Sequence, residues 1–479
     1  MGIPFKNRRL LRVAALPAAA LLTFASATPS FADQASDLAA IRGEIAQMQR
    51  EYNARIAALE ARLKKAEAEA RAARSAAAAA GKTADHAQVT AQQMVQAAET
   101  AQQQAPEPAA PPTPPSSINS FNPGIAAVLN GFYTAATKST KTASIAGFAL
   151  GDEAGGPPKG FSIGESEVSL TANIDPEMAG FLDFSFDREN HPTVEEAYVR
   201  SISLPWGFTA KAGRFLSGIG YLNERHAHDW SFSDAPLPYR VFLNTQYGDD
   251  GIQLRWLAPT DVFLEFGGEW FRGDSYPAAG AANAGQGTQT LFVHAGDDIN
   301  ESSSWLAALS YLHSTAVNRQ TDDIYGFNGG TDRFSGKDDL GIATFVYKWA
   351  PGGNPTVRNF VASGEFFYGH EHGLFDDVPI STDRYGWYAQ GVYQFMPQWS
   401  LGVRYAQMST GAIPAALNGS ALDSFGHTPR AETALVEYDT SEFGRLRLQY
   451  THDDAGLKPN DEVLLQYTVI YGPHGAHRY

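Results

Sequence analysis

The sequence predicts an all-β transmembrane barrel of about 16 antiparallel strands, range about 14–18, preceded by an α-helical coiled coil. Three observations predict it. Apolar and polar residues alternate with period two from about residue 120 onward. Most alternating runs are about ten residues long, the length a tilted strand needs to cross a bilayer. The connections between them are short and long by turns.

Composition narrows the function classes first. The chain has 479 residues and no Cys, so neither a disulfide framework nor a thiolate metal site is available. A formal net charge of −16 makes nucleic acid an unfavourable partner, because phosphates repel it. The mean hydropathy is slightly negative. In a barrel that value says little, because half of each spanning strand faces a wet lumen. The 28 Phe and 20 Tyr suit aromatic girdles at two membrane interfaces.

Residues 1–32 read as a signal peptide. Lys6, Arg8, Arg9 and Arg12 form a positive n-region, Val13 to Ala25 an apolar h-region, and Ser30-Phe31-Ala32 a small-residue site with cleavage after Ala32. The apolar run falls short of the ~20 residues a membrane anchor needs. Residues 33–80 read as a coiled coil. Leu38, Ile41, Ile45, Met48 and Tyr52 follow 3-4 spacing, and the seam resumes at Ile56, Leu59, Leu63 and Ala66. The step from Tyr52 to Ile56 is a stutter that unwinds the supercoil locally. The functional reading is an oligomerising stalk, most simply a trimer; the blander one is a lone helix or spacer. Residues 81–117 read as an Ala/Gln-rich helix and a Pro-rich linker, extended from Pro106 to Pro115.

Residues 118–479 carry the barrel. Sixteen strands are expected near 124–136, 163–174, 178–188, 193–204, 207–216, 249–258, 262–272, 288–297, 302–313, 338–350, 358–370, 383–395, 398–408, 430–440, 443–452 and 462–471. In the last, Val463, Leu465, Tyr467, Val469 and Tyr471 share one face and Glu462, Gln466 and Thr468 the other. Apolar residues face lipid and polar ones the pore. Tight turns are expected at 175–177, 204–206, 258–261, 298–300, 396–397 and 441–443. Long connections are expected at 137–162, 217–248, 273–287, 314–337, 371–382 and 409–429. Short periplasmic turns and long outer loops produce this rhythm. A soluble sandwich has no reason to. No helix-period segments interleave, which excludes a parallel α/β sheet.

Candidate chemistry lies inside. Loop 217–248 carries Glu224, Arg225, Asp229, Asp234 and Arg240; on an inward loop their mixed charges would set ion selectivity at a pore constriction, and the blander reading is a surface loop with ordinary solvated charges. Alternation places Glu165, Glu167, Asp183, Asp187, Lys211, Arg255, Glu265, Glu269, Arg404, Arg445 and Arg447 in the lumen. Acids dominate the early strands and arginines the late ones. Whether the two signs face each other or abut stays open. Two His-x-His pairs, His226/His228 and His370/His372, place two imidazoles on one side of an extended segment, as a Zn²⁺ or Cu²⁺ site requires. The blander reading is solvated histidines near the headgroups. No resident cofactor is expected; Zn²⁺ as ligand or cargo is the alternative. No catalytic motif is found: there is no Gly-x-Ser-x-Gly, His-Glu-x-x-His or P-loop.

Several segments carry a resemblance: Phe121-Asn122-Pro123-Gly124, Gly164-Glu165-Ser166-Glu167, Val194-Glu195-Glu196-Ala197-Tyr198, Ala212-Gly213-Arg214-Phe215, Gly220-Tyr221-Leu222-Asn223 through His226-Ala227-His228, and Gly472-Pro473-His474-Gly475-Ala476-His477. They resemble a family of Gram-negative outer-membrane barrels often labelled TonB-dependent or zinc-regulated outer-membrane receptors. The stalk-plus-barrel layout is similar to phosphate-selective and sugar-specific porins. Loop 217–248 resembles the inward-folding eyelet loop of general porins. The resemblance implies an outer-membrane location with a periplasmic stalk, contact with outer-membrane lipid and the barrel-assembly machinery, and peptidoglycan as a further stalk partner. TonB-dependent receptors carry a globular plug before a twenty-two-stranded barrel. Coiled coil, Ala-rich helix and Pro-rich tether cannot fold as a plug, so the physical reading is a porin-like channel for small hydrophilic solutes or ions. The alternatives are a receptor for a metal or metal complex and an envelope tether.

Overall fold

The structure, a computed structural model, describes residues 124–139, 144–164, 166–186, 191–279, 287–327 and 329–472. The expected signal peptide, coiled coil and linker lie outside the described residues, as do Glu165, Asp187, His474 and His477.

The described strands are β1 Gly124–Ala136, β2 Gly160–Ser162, β3 Glu167–Asn173, β4 Met178–Phe186, β5 Pro192–Ser201, β6 Phe208–Leu216, β7 Gly248–Leu257, β8 Phe263–Phe271, β9 Thr288–Asn300, β10 Ser303–Asp322, β11 Thr331–Trp349, β12 Asn359–Phe375, β13 Val378–Met396, β14 Trp399–Thr410, β15 Arg430–Ser441, β16 Gly444–Asp454 and β17 Asn460–Tyr471. Apart from β2 and β3, which do not pair with each other, all pair antiparallel with their sequence neighbours. β2 and β3 both pair with β1 and are two pieces of one strand, so seventeen strands fill sixteen positions. β1 also pairs with β17, from Ala127 opposite Tyr471 to Ala136 opposite Glu462, and this closes the barrel. Closure satisfies the backbone N–H and C=O groups that a bilayer cannot hydrogen-bond.

The outer wall has the expected banding. Leu309, Phe345, Phe366, Val403 and Leu448 are exposed and face outward. Trp206, Phe208, Trp256, Trp399 and Tyr438 gather toward the short-turn end, where Trp399 and Tyr438 lie 4.8 Å apart. Tyr311, Tyr368, Tyr385 and Tyr450 mark the opposite rim. Apolar residues between two aromatic bands define a membrane-spanning wall.

Two expected long loops are strands instead. β10 and β11 run on to leave only residues 323–330 between them, and β12 and β13 meet at Asp376-Asp377. Both aspartates have positive φ, 47° and 63°, as a two-residue type I′ turn demands. Charged residues in these stretches hid the alternation. The expected turn at 298–300 also moves: those residues end β9, and the chain reverses at Glu301-Ser302.

Asp332 sits high on the β10–β11 hairpin, opposite Thr321 and beyond the tyrosine rim. Burial and the carboxylates of Asp376 and Asp323 push it up to about 7. An unfolded Asp titrates near about 3.9, so the stabilisation from binding this proton is full below that pH and is lost as pH rises through about 7. Asp332→Asn is therefore expected to raise the thermal midpoint. The gain should be smallest below about pH 4, widen as pH rises and level off above about pH 7. Melting curves across this range check it; a pH-independent gain would contradict the placement of the charge.

Candidate functional site in the barrel lumen

Residues 217–247 leave the wall at the end of β6 and rejoin it at β7. Between these points they cross the lumen. The loop contains a single-turn 3-10 segment at Ala227–Asp229 and one short helix, α1 Leu237–Phe242. Its apolar residues explain why it turns inward. Trp230, Leu237, Tyr239, Val241, Phe242 and Leu243 are buried against Phe215, Phe271, Leu312, Ile342 and Phe367 of the wall and Ile145 and Phe148 of the first loop. Phe242 stacks parallel on Phe367, with ring centroids 5.8 Å apart. Gly369 makes the space: a Cβ there would lie 2.7 Å from the Phe242 ring. The inner wall is thus not polar throughout, as strict alternation implied. Leu312, Leu340, Ile342 and Phe367 face inward because the loops cover them.

Hydrogen bonds fix the loop to every side of the barrel. Gly218 N–H donates to Glu269 on β8 at 2.9 Å, and Ser217 Oγ bonds the same carboxylate. Glu365 on β12 accepts from the Tyr239 hydroxyl at 2.7 Å, Tyr388 at 2.6 Å, Thr344 at 2.6 Å and the Tyr221 N–H at 2.8 Å. Arg404 on β14 donates to the Asp234 carbonyl and carboxylate at 2.7 and 2.6 Å. On β16, Arg447 Nη2 donates to the Trp230 carbonyl at 3.1 Å and Arg445 to that of His228.

The acid and arginine walls are therefore bridged by the loop. His226 meets Glu167 on β3 and Glu196 on β5, both at 3.1 Å. His228 Nδ1 lies 3.2 Å from Glu167. Asp183 on β4 is buried beside them, opposite Glu196 in register. Residues 226–230 thus run from the acidic strands to Arg445 and Arg447.

The expected constriction residues divide into two groups. Glu224, Arg225 and Asp229 line a cavity of about 890 Å³. Wall residues near the short turns, including Arg200, Phe263, Asn359 and Gln394, complete it, so it lies on the short-turn side of the loop. Asp234 and Arg240 are not part of its lining. Asp234 is held by Arg404 and Gln449, and Arg240 by Asp453 at 3.2 Å and the Ala154 carbonyl at 2.7 Å. Among the lumen charges, Lys211, Arg255, Glu265, Arg445 and Arg447 face the cavity, whereas Glu269 and Arg404 act as anchors.

Charge pairing around this cavity is uneven. Arg255 bonds Glu224 and lies 3.4 Å from Glu265, and Arg447 lies 2.5 Å from Glu437. Arg225 and Lys211 instead lie over aromatic rings, Tyr221 at 4.3 Å and Tyr198 at 4.5 Å.

The second His-x-His pair shares one face of β12, with ring centroids 5.8 Å apart. His370 and His372 are on the outer face of β12, at and above the tyrosine rim. His370 Nδ1 meets Asp383 at 2.8 Å. His313, Asp339, His370 and Asp383 are register partners across four strands, an alternating ladder at the tyrosine rim. His452, Asp461 and Tyr450 repeat the motif. Among the described residues, the His/Asp/Glu groups of three within metal-ligating distance are Glu167/His226/His228 and Glu167/Asp183/Glu195; His370 and His372 belong to neither.

Sequence reasoning missed four contributors. Glu365 shares the inward face with Ser363 and Phe367, so alternation on β12 could have found it. Glu437 could have been found likewise. Glu195 and Glu196 could not: strict alternation sends one of them outward. A β-bulge opposite Asp183 and Phe184 leaves Glu195 unpaired and turns both inward.

Fold and site together define a closed sixteen-stranded membrane β-barrel with a loop folded into its lumen. No family model matches the chain. It is similar to an uncharacterised protein of Aquifex aeolicus (strain VF5), 28% identical over 343 residues, covering 67% of this chain and 70% of that one. Solved structures similar to it include a loop-deletion mutant of OmpT, an outer membrane protein of Vibrio cholerae (TM-score 0.47, 11% identity, 74% of this chain and 100% of that one). Others are the outer membrane channel DcaP of Acinetobacter baumannii (TM-score 0.47, 9% identity, 74% and 99%) and an anion-selective porin from Comamonas acidovorans (TM-score 0.47, 10% identity, 73% and 99%). The TonB-dependent or zinc-regulated receptor label finds no support in these comparisons. Sixteen strand positions also fall short of the twenty-two that label implies, and what fills the described lumen is the barrel's own loops.

Proposed function

We propose that this protein is an outer-membrane channel that passes small hydrophilic solutes through a narrow eyelet, with a preference for anions. The observation that carries the reading is the infolded loop and the wall it faces: the cavity-facing cations Arg225 on the loop and Lys211 on β6 rest on aromatic faces, while the acids Glu224, Glu265 and Glu437 bond arginines. Paired charges cancel at short range. Arg225 on the eyelet and Lys211 on the wall beside it add positive potential along the path of a permeating ion, against the lining carboxylates Asp229 and Asp439. The short-turn end faces the periplasm, following the usual arrangement of such barrels.

Zero-current potentials of the reconstituted barrel in a KCl gradient test this. Wild type is expected to favour chloride, and Arg225→Glu with Lys211→Glu to shift the potential toward potassium. An unchanged potential in the double variant would remove these residues from the permeation path.

A further inference from the structure

We propose that Glu167, His226 and His228 form a binding site for a divalent transition-metal ion, one that ties the eyelet loop to the acidic wall. Both imidazoles present Nδ1 to the same carboxylate: His226 Nδ1 to Glu167 Oε2 at 3.1 Å and His228 Nδ1 to Oε1 at 3.2 Å. The metal-ligand atoms of all three residues lie within 4.8 Å of one another. Metal–nitrogen and metal–oxygen bonds of about 2.0–2.1 Å place neighbouring tetrahedral ligands about 3.3 Å apart, a spacing that the two histidine–carboxylate distances match.

The far side of each ring points the same way. His226 Nε2 meets Glu196 Oε2 at 3.1 Å, and His228 Nε2 lies 3.5 Å from Asp229 Oδ1. A ligating histidine characteristically gives its other N–H to a carboxylate, which fixes the tautomer and raises the basicity of the metal-facing nitrogen. His226 is backed in this way, and the Asp229 carboxylate stands near the corresponding nitrogen of His228. Glu195 Oε1, 3.9 Å from His226 Nδ1, is placed to supply a fourth ligand, and it shares a second ligating group with Glu167 and Asp183. Two nitrogens and carboxylate oxygens in a tetrahedral set suit Zn²⁺ or Co²⁺ rather than the all-oxygen shells of Ca²⁺ or Mg²⁺. Because Glu167 is on β3 while both histidines are on the loop, an ion here is a clip between wall and eyelet.

Co²⁺ titration of the full-length protein in detergent, read by visible absorption, tests the proposal independently of any channel activity. Wild type is expected to develop the intense bands of tetrahedral Co²⁺ at one equivalent, and Zn²⁺ to displace them. Glu167→Gln, His226→Gln and His228→Ala are each expected to lose the bands while keeping the circular dichroism of a folded barrel. His370→Ala/His372→Ala and His474→Ala/His477→Ala are expected to keep them. Bands that persist in folded Glu167→Gln and His228→Ala, or wild type without bands, would overturn the site and leave a purely ionic imidazole–carboxylate cluster.

Discussion

Glu365→Ala is expected to raise the single-channel conductance severalfold and make the open level noisy. The Glu365 carboxylate is buried and accepts hydrogen bonds from Tyr239, Tyr388, Thr344 and the Tyr221 backbone. Two of these donors belong to the infolded loop. Removing the acceptor leaves them to find water, at about 1–3 kcal/mol for each group that stays buried and unsatisfied. The cheapest relief is for the loop to lift at Tyr221 and Tyr239, which opens the lumen. Glu365→Gln keeps an acceptor oxygen, and the hydroxyls can turn to meet its amide, so its conductance should lie close to wild type. An Ala variant with wild-type conductance would mean that Phe242 and its neighbours alone hold the loop.

Glu371→Ala is expected to cost about 3–5 kcal/mol of stability, the loss typical of a buried ion pair stripped of one partner. Arg319 lies 2.6 Å and Arg384 3.5 Å from Glu371, and Arg384 also pairs with Asp338 at 2.6 Å. Side chains of all four are at most 4% exposed. Arg319 also lies over the Tyr276 and Phe334 rings and donates to the Pro277 carbonyl, and Arg384 lies over Phe242. One carboxylate therefore steadies two loops at once. Denaturant unfolding checks the cost; a variant within ~0.5 kcal/mol of wild type, as for an exposed site, would contradict the buried network.

The barrel was largely legible in the sequence because its physics is local. Each spanning strand must show lipid one face and the lumen the other, so Val463, Leu465 and Tyr467 betray their side at once. The same locality explains the failures. Above the tyrosine rim, strands no longer face lipid, so the outer faces of β11 and β12 carry Lys337 and His372 there, while Arg319 of β10 is buried inside against Glu371, and these stretches read as loops. The eyelet was legible as a charged loop, but which charges face the cavity was not. Asp234 and Arg240 look like Glu224 and Arg225 in sequence. Only their partners Arg404 and Asp453, 170 and 213 residues away, separate anchors from lining. His226/His228 and His370/His372 likewise share a motif, and the fold alone sends one pair into the lumen and the other to the barrel's outer face at and above the tyrosine rim.

A folded barrel with this loop in place is expected still to conduct. Planar-bilayer recording of the purified protein tests it most directly. Discrete, small conductance steps that grow in Glu365→Ala are the predicted result. A demonstrably folded barrel that inserts and shows no steps, in wild type and variant alike, would contradict it.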